Sequence, residues 1–84
     1  MKKCMITFRT VMPAQRGDGV LRQAGISGRL SRTPVWLAQK GCGYSLHIPC
    51  EDVTRAVQLL RQNRIPFQKV YLLKDEKLAE ELEL

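Results

Sequence analysis

The side chains that could carry covalent chemistry in this chain are three cysteines and one histidine. Cys42 has the most suggestive surroundings, because it stands between Gly41 and Gly43 and runs directly into Tyr44-Ser45-Leu46-His47-Ile48. A cysteine between glycines has a thiol with little steric cover, on backbone that takes unusual φ values at low cost. Ionised, such a thiol is the nucleophile of sulfur chemistry. The same residues also read as a hairpin whose glycines only shape the chain, with Cys42 as filler. The local sequence leaves both readings open.

The other candidates read more plainly. Cys4 alternates in phase with Ile6 and Phe8 and belongs to an apolar strand face. Cys50 precedes the acidic start of a helix, where its pKa could be lowered, and reads as a structural or incidental thiol. His47 shares a face with Ser45 and reads as a solvated or interface histidine, since no carboxylate is evidently placed to orient it. An odd cysteine count, spaced 38 and 8 apart with no C-x-x-C, argues against a zinc site, a thioredoxin-type motif and a disulfide framework. No metal and no cofactor is expected.

The elements that must position Cys42 follow from patterning. Cys4 to Arg9 alternates as a first strand. Thr10 is an N-cap candidate and Pro13 fits a first turn, so a helix is expected from 11 to 24, ended by Gly25. Gly17 and Gly19 each cost that helix roughly 1 kcal/mol relative to alanine. Ile26 to Thr33 is a second strand at an edge. Trp36, in the loop that follows, reads as an anchor on the core, with a lid over Cys42 as the alternative, and Tyr44 to Ile48 is a third strand. Val53, Ala56, Val57 and Leu60 form the stripe of a second helix, with Asn63 as its left-handed terminator. Phe67 to Leu73 is a fourth strand.

Eighty-four residues make one domain, here 1–73, followed by an acidic tail at 74–84. The tail holds two lysines against five carboxylates, net −3, whereas residues 1–73 carry twelve basic against three acidic side chains, net +9. A body this basic favours anionic partners. Leu78 and Leu82, four apart, suggest a short amphipathic helix. No apolar run approaches the ~20 residues that span a bilayer, and no signal segment is evident, so the expected compartment is the cytoplasm, with no membrane partner.

The element order is β-α-β-β-α-β, with an internal echo. Leu21-Arg22-Gln23-Ala24-Gly25-Ile26 recurs as Leu60-Arg61-Gln62-Asn63-Arg64-Ile65. This predicts an α+β, ferredoxin-like split βαβ fold, with a four-stranded antiparallel sheet in the order 4-1-3-2 and both helices on one face. The topology sets Cys42 where the first strand ends and the first helix begins. Its expected neighbours are Arg9, Thr10, Ser31, Arg32, Thr33 and Lys40, which favour a thiolate or a bound anion. Cys4 and Cys50 fall at the opposite end, roughly 15–20 Å away.

Ile6-Thr7-Phe8, Ala24-Gly25-Ile26, Arg29-Leu30, Thr33-Pro34 and Gly41-Cys42-Gly43-Tyr44-Ser45-Leu46 together resemble a small bacterial family of selenium/sulfur-carrier-like proteins, from about residue 3 to 72. The Thr-Pro and Cys-Gly elements are the distinctive part. The resemblance implies a domain of this design with Cys42 as the carrier of sulfur or selenium, receiving it from a donor protein and passing it to an acceptor.

The leading expectation is therefore a non-enzymatic carrier that forms a persulfide or selenosulfide on Cys42. Gly41, Gly43, Arg9, Thr10, Arg32, Thr33 and Lys40 are its binding surroundings. The alternative is a ligand-sensing or nucleic-acid or protein interaction module of the same fold. Sequence-specific RNA binding is disfavoured, because Met5, Thr7, Arg9, Ser45 and His47 put no aromatic platform on the open faces of strands one and three. The open sheet face and the tail leucines are the two surfaces on which a homodimer could form.

Overall fold

In a computed structural model, which describes residues 2–37, 43–75 and 78–84, the chain is α+β. Its elements in order are β1 (Lys3–Phe8), α1 (Val11–Gln23), β2 (Arg29–Arg32), β3 (Tyr44–Pro49), α2 (Val53–Gln62), β4 (Val70–Asp75) and β5 (Leu78–Leu82), with a 3₁₀ turn at Cys50–Asp52 leading into α2. The strands form one antiparallel sheet in the order β2-β3-β1-β4-β5. Four strands were expected, and the described residues hold five.

The extra strand comes from the acidic tail, where a helix was expected. Leu78 and Leu82 are four residues apart, a spacing that keeps one face in a helix and equally in a strand, whose period is two. Pairing decides between them. Val70 lies opposite Leu82 and Tyr71 opposite Glu81. Leu82 packs against the core while Leu78 stays 56% exposed. Lys69 bonds Glu81 at 3.1 Å, and Lys74 pairs with Glu80. Exposed pairs of this kind contribute little individually, but they match an acidic strand to basic neighbours.

The core lies between the sheet and the two helices. Cys4, Ile6 and Phe8 of β1 and Leu46 and Ile48 of β3 meet Ala14 and Leu21 of α1 and the α2 stripe Val53, Ala56, Val57 and Leu60. Both helices thus share one sheet face. Gly17 is buried where α1 crosses this layer, and a Cβ there would sit 3.1 Å from Leu60 Cδ2 and 3.3 Å from Phe8 Cζ. Packing, not propensity, explains that glycine.

The two helices end alike. At α1 the Gly25 N–H donates to Arg22 O and the Ile26 N–H to Leu21 O; at α2 the Arg64 N–H donates to Arg61 O and the Ile65 N–H to Leu60 O. These are paired Schellman turns with buried isoleucines behind them. The repeated hexapeptide is therefore a repeated cap. The left-handed residue of the second is Arg64, at φ 55°, and not Asn63, which sits at φ −94°. Asn63 instead donates its side-chain amide to Leu59 O at 2.8 Å.

A second correction concerns the thiols. Cys4 and Cys50 are joined as a disulfide, with Cα atoms 4.9 Å apart and 46 residues between them in sequence. The odd cysteine count argued against such a bond. Topology overrides it: Cys4 pairs with Ile48 in the β1–β3 register, and the Cys50 N–H donates to Lys2 O at 3.2 Å. The two cysteines are brought to one end of neighbouring strands whatever the total count.

Candidate functional site at the ends of β1 and β2

The described part of the expected site is built by three strand ends. Phe8 pairs with Tyr44, and Tyr44 pairs with Arg32 on its other side. The last residue of β1, the last of β2 and the first of β3 therefore lie side by side. Arg9 and Thr10 continue from β1, both exposed, and Thr10 takes the N-cap position of α1 with extended backbone (φ −132°, ψ 168°). Its hydroxyl makes no capping bond, so the cap expected from its residue type is positional only.

Gly43 and Thr33 close the neck of the β2–β3 connection. The Thr33 N–H donates to Gly43 O at 3.0 Å, and the Thr33 and Ser45 hydroxyls are 3.3 Å apart. A Cβ on Gly43 would stand 3.2 Å from both Phe8 O and Thr33 Oγ1. A side chain here would have to push the β1 backbone or Thr33 aside by a few tenths of an ångström. Arg32 lies over the Tyr44 ring, 5.9 Å from its centroid, which fixes its stem while leaving it exposed.

Five of the expected residues, Arg9, Thr10, Arg32, Thr33 and Gly43, are thus gathered at one end of the sheet. Lys40, Gly41 and Cys42 fall outside the described residues. In the connection before them, Val35 is 85% and Trp36 40% exposed, so Trp36 is a weaker anchor than its type suggested. Pro34 O accepts the Leu37 N–H at 3.0 Å in a single turn.

At this end the open face of the sheet is buried. Thr7 and Ser45 are buried, and Met5 is fully buried between His47 and Tyr71 in the register. Thr7 donates its hydroxyl to Lys69 O and accepts from the Lys69 N–H at 3.1 Å. Among the described residues no cluster of three or more His, Cys, Asp or Glu is placed to hold a metal ion, and no helix is long and apolar enough to cross a membrane.

The Cys4–Cys50 bond lies at the far end. Cys4 is four residues from Phe8 along β1, about 13 Å of strand at ~3.3 Å per residue, and Cys50 directly follows Pro49, the last residue of β3.

Residues 3–72 match the model of the family described as "Putative Se/S carrier protein-like", and the chain belongs to that family. The match stops within β4, so β5 lies beyond it. No curated protein matches the chain.

Proposed function

We infer that the protein is a sulfur or selenium carrier whose working group is the Cys42 thiol. Family membership over residues 3–72 is the observation that carries this reading. The convergence of Arg9, Thr10, Arg32, Thr33 and Gly43 on the end of the sheet from which residue 42 departs supports it. The fold is then best understood as a ferredoxin-like split βαβ core, β2-β3-β1-β4, to which β5 has been added.

The transfer balances without a bound cofactor. The Cys42 thiolate attacks the outer sulfur of a donor persulfide, the donor leaves as its thiolate, and Cys42 holds the sulfane sulfur as Cys42–S–SH. A nucleophile on the acceptor then takes that outer atom and Cys42 returns to thiolate. Selenium follows the same course as a selenosulfide. Arginines at the strand ends favour the anionic form of both thiol and persulfide. A thiol within reach would destroy the persulfide by forming a disulfide and expelling sulfide. Cys4 and Cys50 are bonded to each other and lie at the far end. Donor and acceptor are proteins in this reading.

Intact-mass analysis with peptide mapping, after incubation with a persulfide donor, tests it. Wild-type protein should gain the mass of one sulfur atom on the peptide bearing Cys42, and Cys42→Ser should gain none while keeping its fold. Normal loading of Cys42→Ser would overturn the reading.

A further inference from the structure

A second place for chemistry lies on the open face of the sheet, toward the end that carries Lys3. A groove of about 370 Å³ is lined by Lys3, Ser27, Gly28, Arg29, His47 and Leu73. Its size is that of a small-ligand site. Its charged and titratable lining is wholly basic: a lysine from β1, an arginine from β2 and the single histidine from β3. The register explains the meeting. Arg29 stands directly opposite His47, and Lys3 is set diagonally from it, two residues along β1 from Met5, the partner of His47.

Among the described residues no carboxylate lines this groove. By register Glu81 of β5 is on the same face, but β5 is three strands from β3, about 14 Å at ~4.8 Å per strand. Glu81 is also engaged by Lys69. The strand between carries Met5, and β4 carries Tyr71 and Leu73 on this face. His47 records the imbalance: burial first, then Arg29 and Lys3, lower its pKa from the ordinary 6.5.

We propose that the Lys3–Arg29–His47 groove is a binding site for a small divalent oxyanion, a phosphate group being the probe of that class. Arg29 supplies a planar donor fork, Lys3 a point charge, and His47, as an imidazolium, becomes a third donor once the anion is present. A polynucleotide fits less well, since the groove is short and its lining holds a single ring, His47, on which a base could stack. The groove's lining includes none of the residues of the proposed carrier site, and the groove stands or falls without the carrier reading.

NMR titration of the His47 ring protons with inorganic phosphate, against sodium chloride at matched ionic strength, tests the site. Phosphate should shift them saturably and raise the His47 pKa, while chloride should do neither. Lys3→Gln and Arg29→Gln, both at exposed positions, should each weaken binding roughly tenfold, the loss expected for one charge-assisted contact. Cys42→Ser should bind as wild type. A nucleoside monophosphate that binds tighter than phosphate supports the site and identifies the anion as part of a larger ligand. The proposal is overturned by no saturable shift up to about 10 mM phosphate, well above a millimolar dissociation constant. It is equally overturned by a shift that both Gln variants retain, or by binding of single-stranded RNA alone.

Discussion

Gly25 and Arg64 occupy the same position in two copies of one helix-ending turn. Both have positive φ, 83° and 55°, but only one is a residue that accepts this freely. For an L side chain the left-handed region costs roughly 1–2 kcal/mol.

Exchange at these two positions should act in opposite directions. Arg64→Gly should stabilise the protein by about 0.5–1 kcal/mol, less than the full relief because glycine also loosens the unfolded chain. Gly25→Ala should destabilise it by about 1 kcal/mol. Chemical denaturation of both variants checks this, and an unchanged midpoint for Gly25→Ala would contradict the cap.

The glycines of α1 should likewise separate. Gly19 has open space where a Cβ would go, so Gly19→Ala should gain up to ~1 kcal/mol of helix propensity. Gly17→Ala gains the same propensity but presses its Cβ toward Leu60 and Phe8, and overpacking of ~1–3 kcal/mol outweighs it. Thermal melts of the pair should move in opposite directions.

The Cys4–Cys50 bond should be worth up to about 4 kcal/mol by loop-closure entropy for its 46-residue separation. Non-reduced protein should therefore unfold at higher denaturant than either reduced wild type or Cys50→Ser, and the last two should nearly coincide. Equal midpoints in all three would show the bond absent in solution. A thiol count should give one reactive group without reductant and three with it.

His47 sets a pH dependence whose sign is fixed. Its folded pKa lies below 6.5, so as pH falls from 6.5 through the lowered value the unfolded chain binds a proton that the folded chain does not. The stability contributed by the neutral ring is complete above that window and lost below it. His47→Gln should remove this part of the acid slope, and Arg29→Gln should narrow it by raising the histidine's pKa. Denaturation midpoints measured across pH 5 to 7 would show no difference if His47 were fully solvated; the interval brackets the ordinary histidine value.

Much of this architecture was legible as alternation. The Cys4–Ile6–Phe8 face, the α2 stripe and Gly25 as terminator need only local pattern, and the structure keeps them. What local pattern could not supply was partners. Leu78 and Leu82 satisfy helical and extended periods alike until β4 is present to pair with. Asn63 and Arg64 adjoin, and residue type favours the wrong one, because the isoleucine behind the turn fixes the register of the cap. Cys4 was correctly given to the core, yet its bond to Cys50 arises only when two strands 40 residues apart run side by side. Lys3, Arg29 and His47 are unremarkable in sequence, and their meeting is a product of strand register. For the candidate carrier site, the gathering of Arg9, Thr10, Arg32, Thr33 and Gly43 followed from topology, while Lys40, Gly41 and Cys42 fall outside the described residues.

The placement of β5 also bears on how copies of the molecule meet. A sheet ends in two rows of unpaired backbone groups, each able to recruit a strand from a neighbour. Here the outermost strand on one side bears Glu80 and Glu81, with Glu83 just beyond, and on the other side Arg29 and Arg32. Two chains approaching through matching borders would set like charges against each other. The five-stranded sheet is thereby guarded against symmetric lateral growth, with the acidic segment acting as a selvage for the β4 side of the fabric.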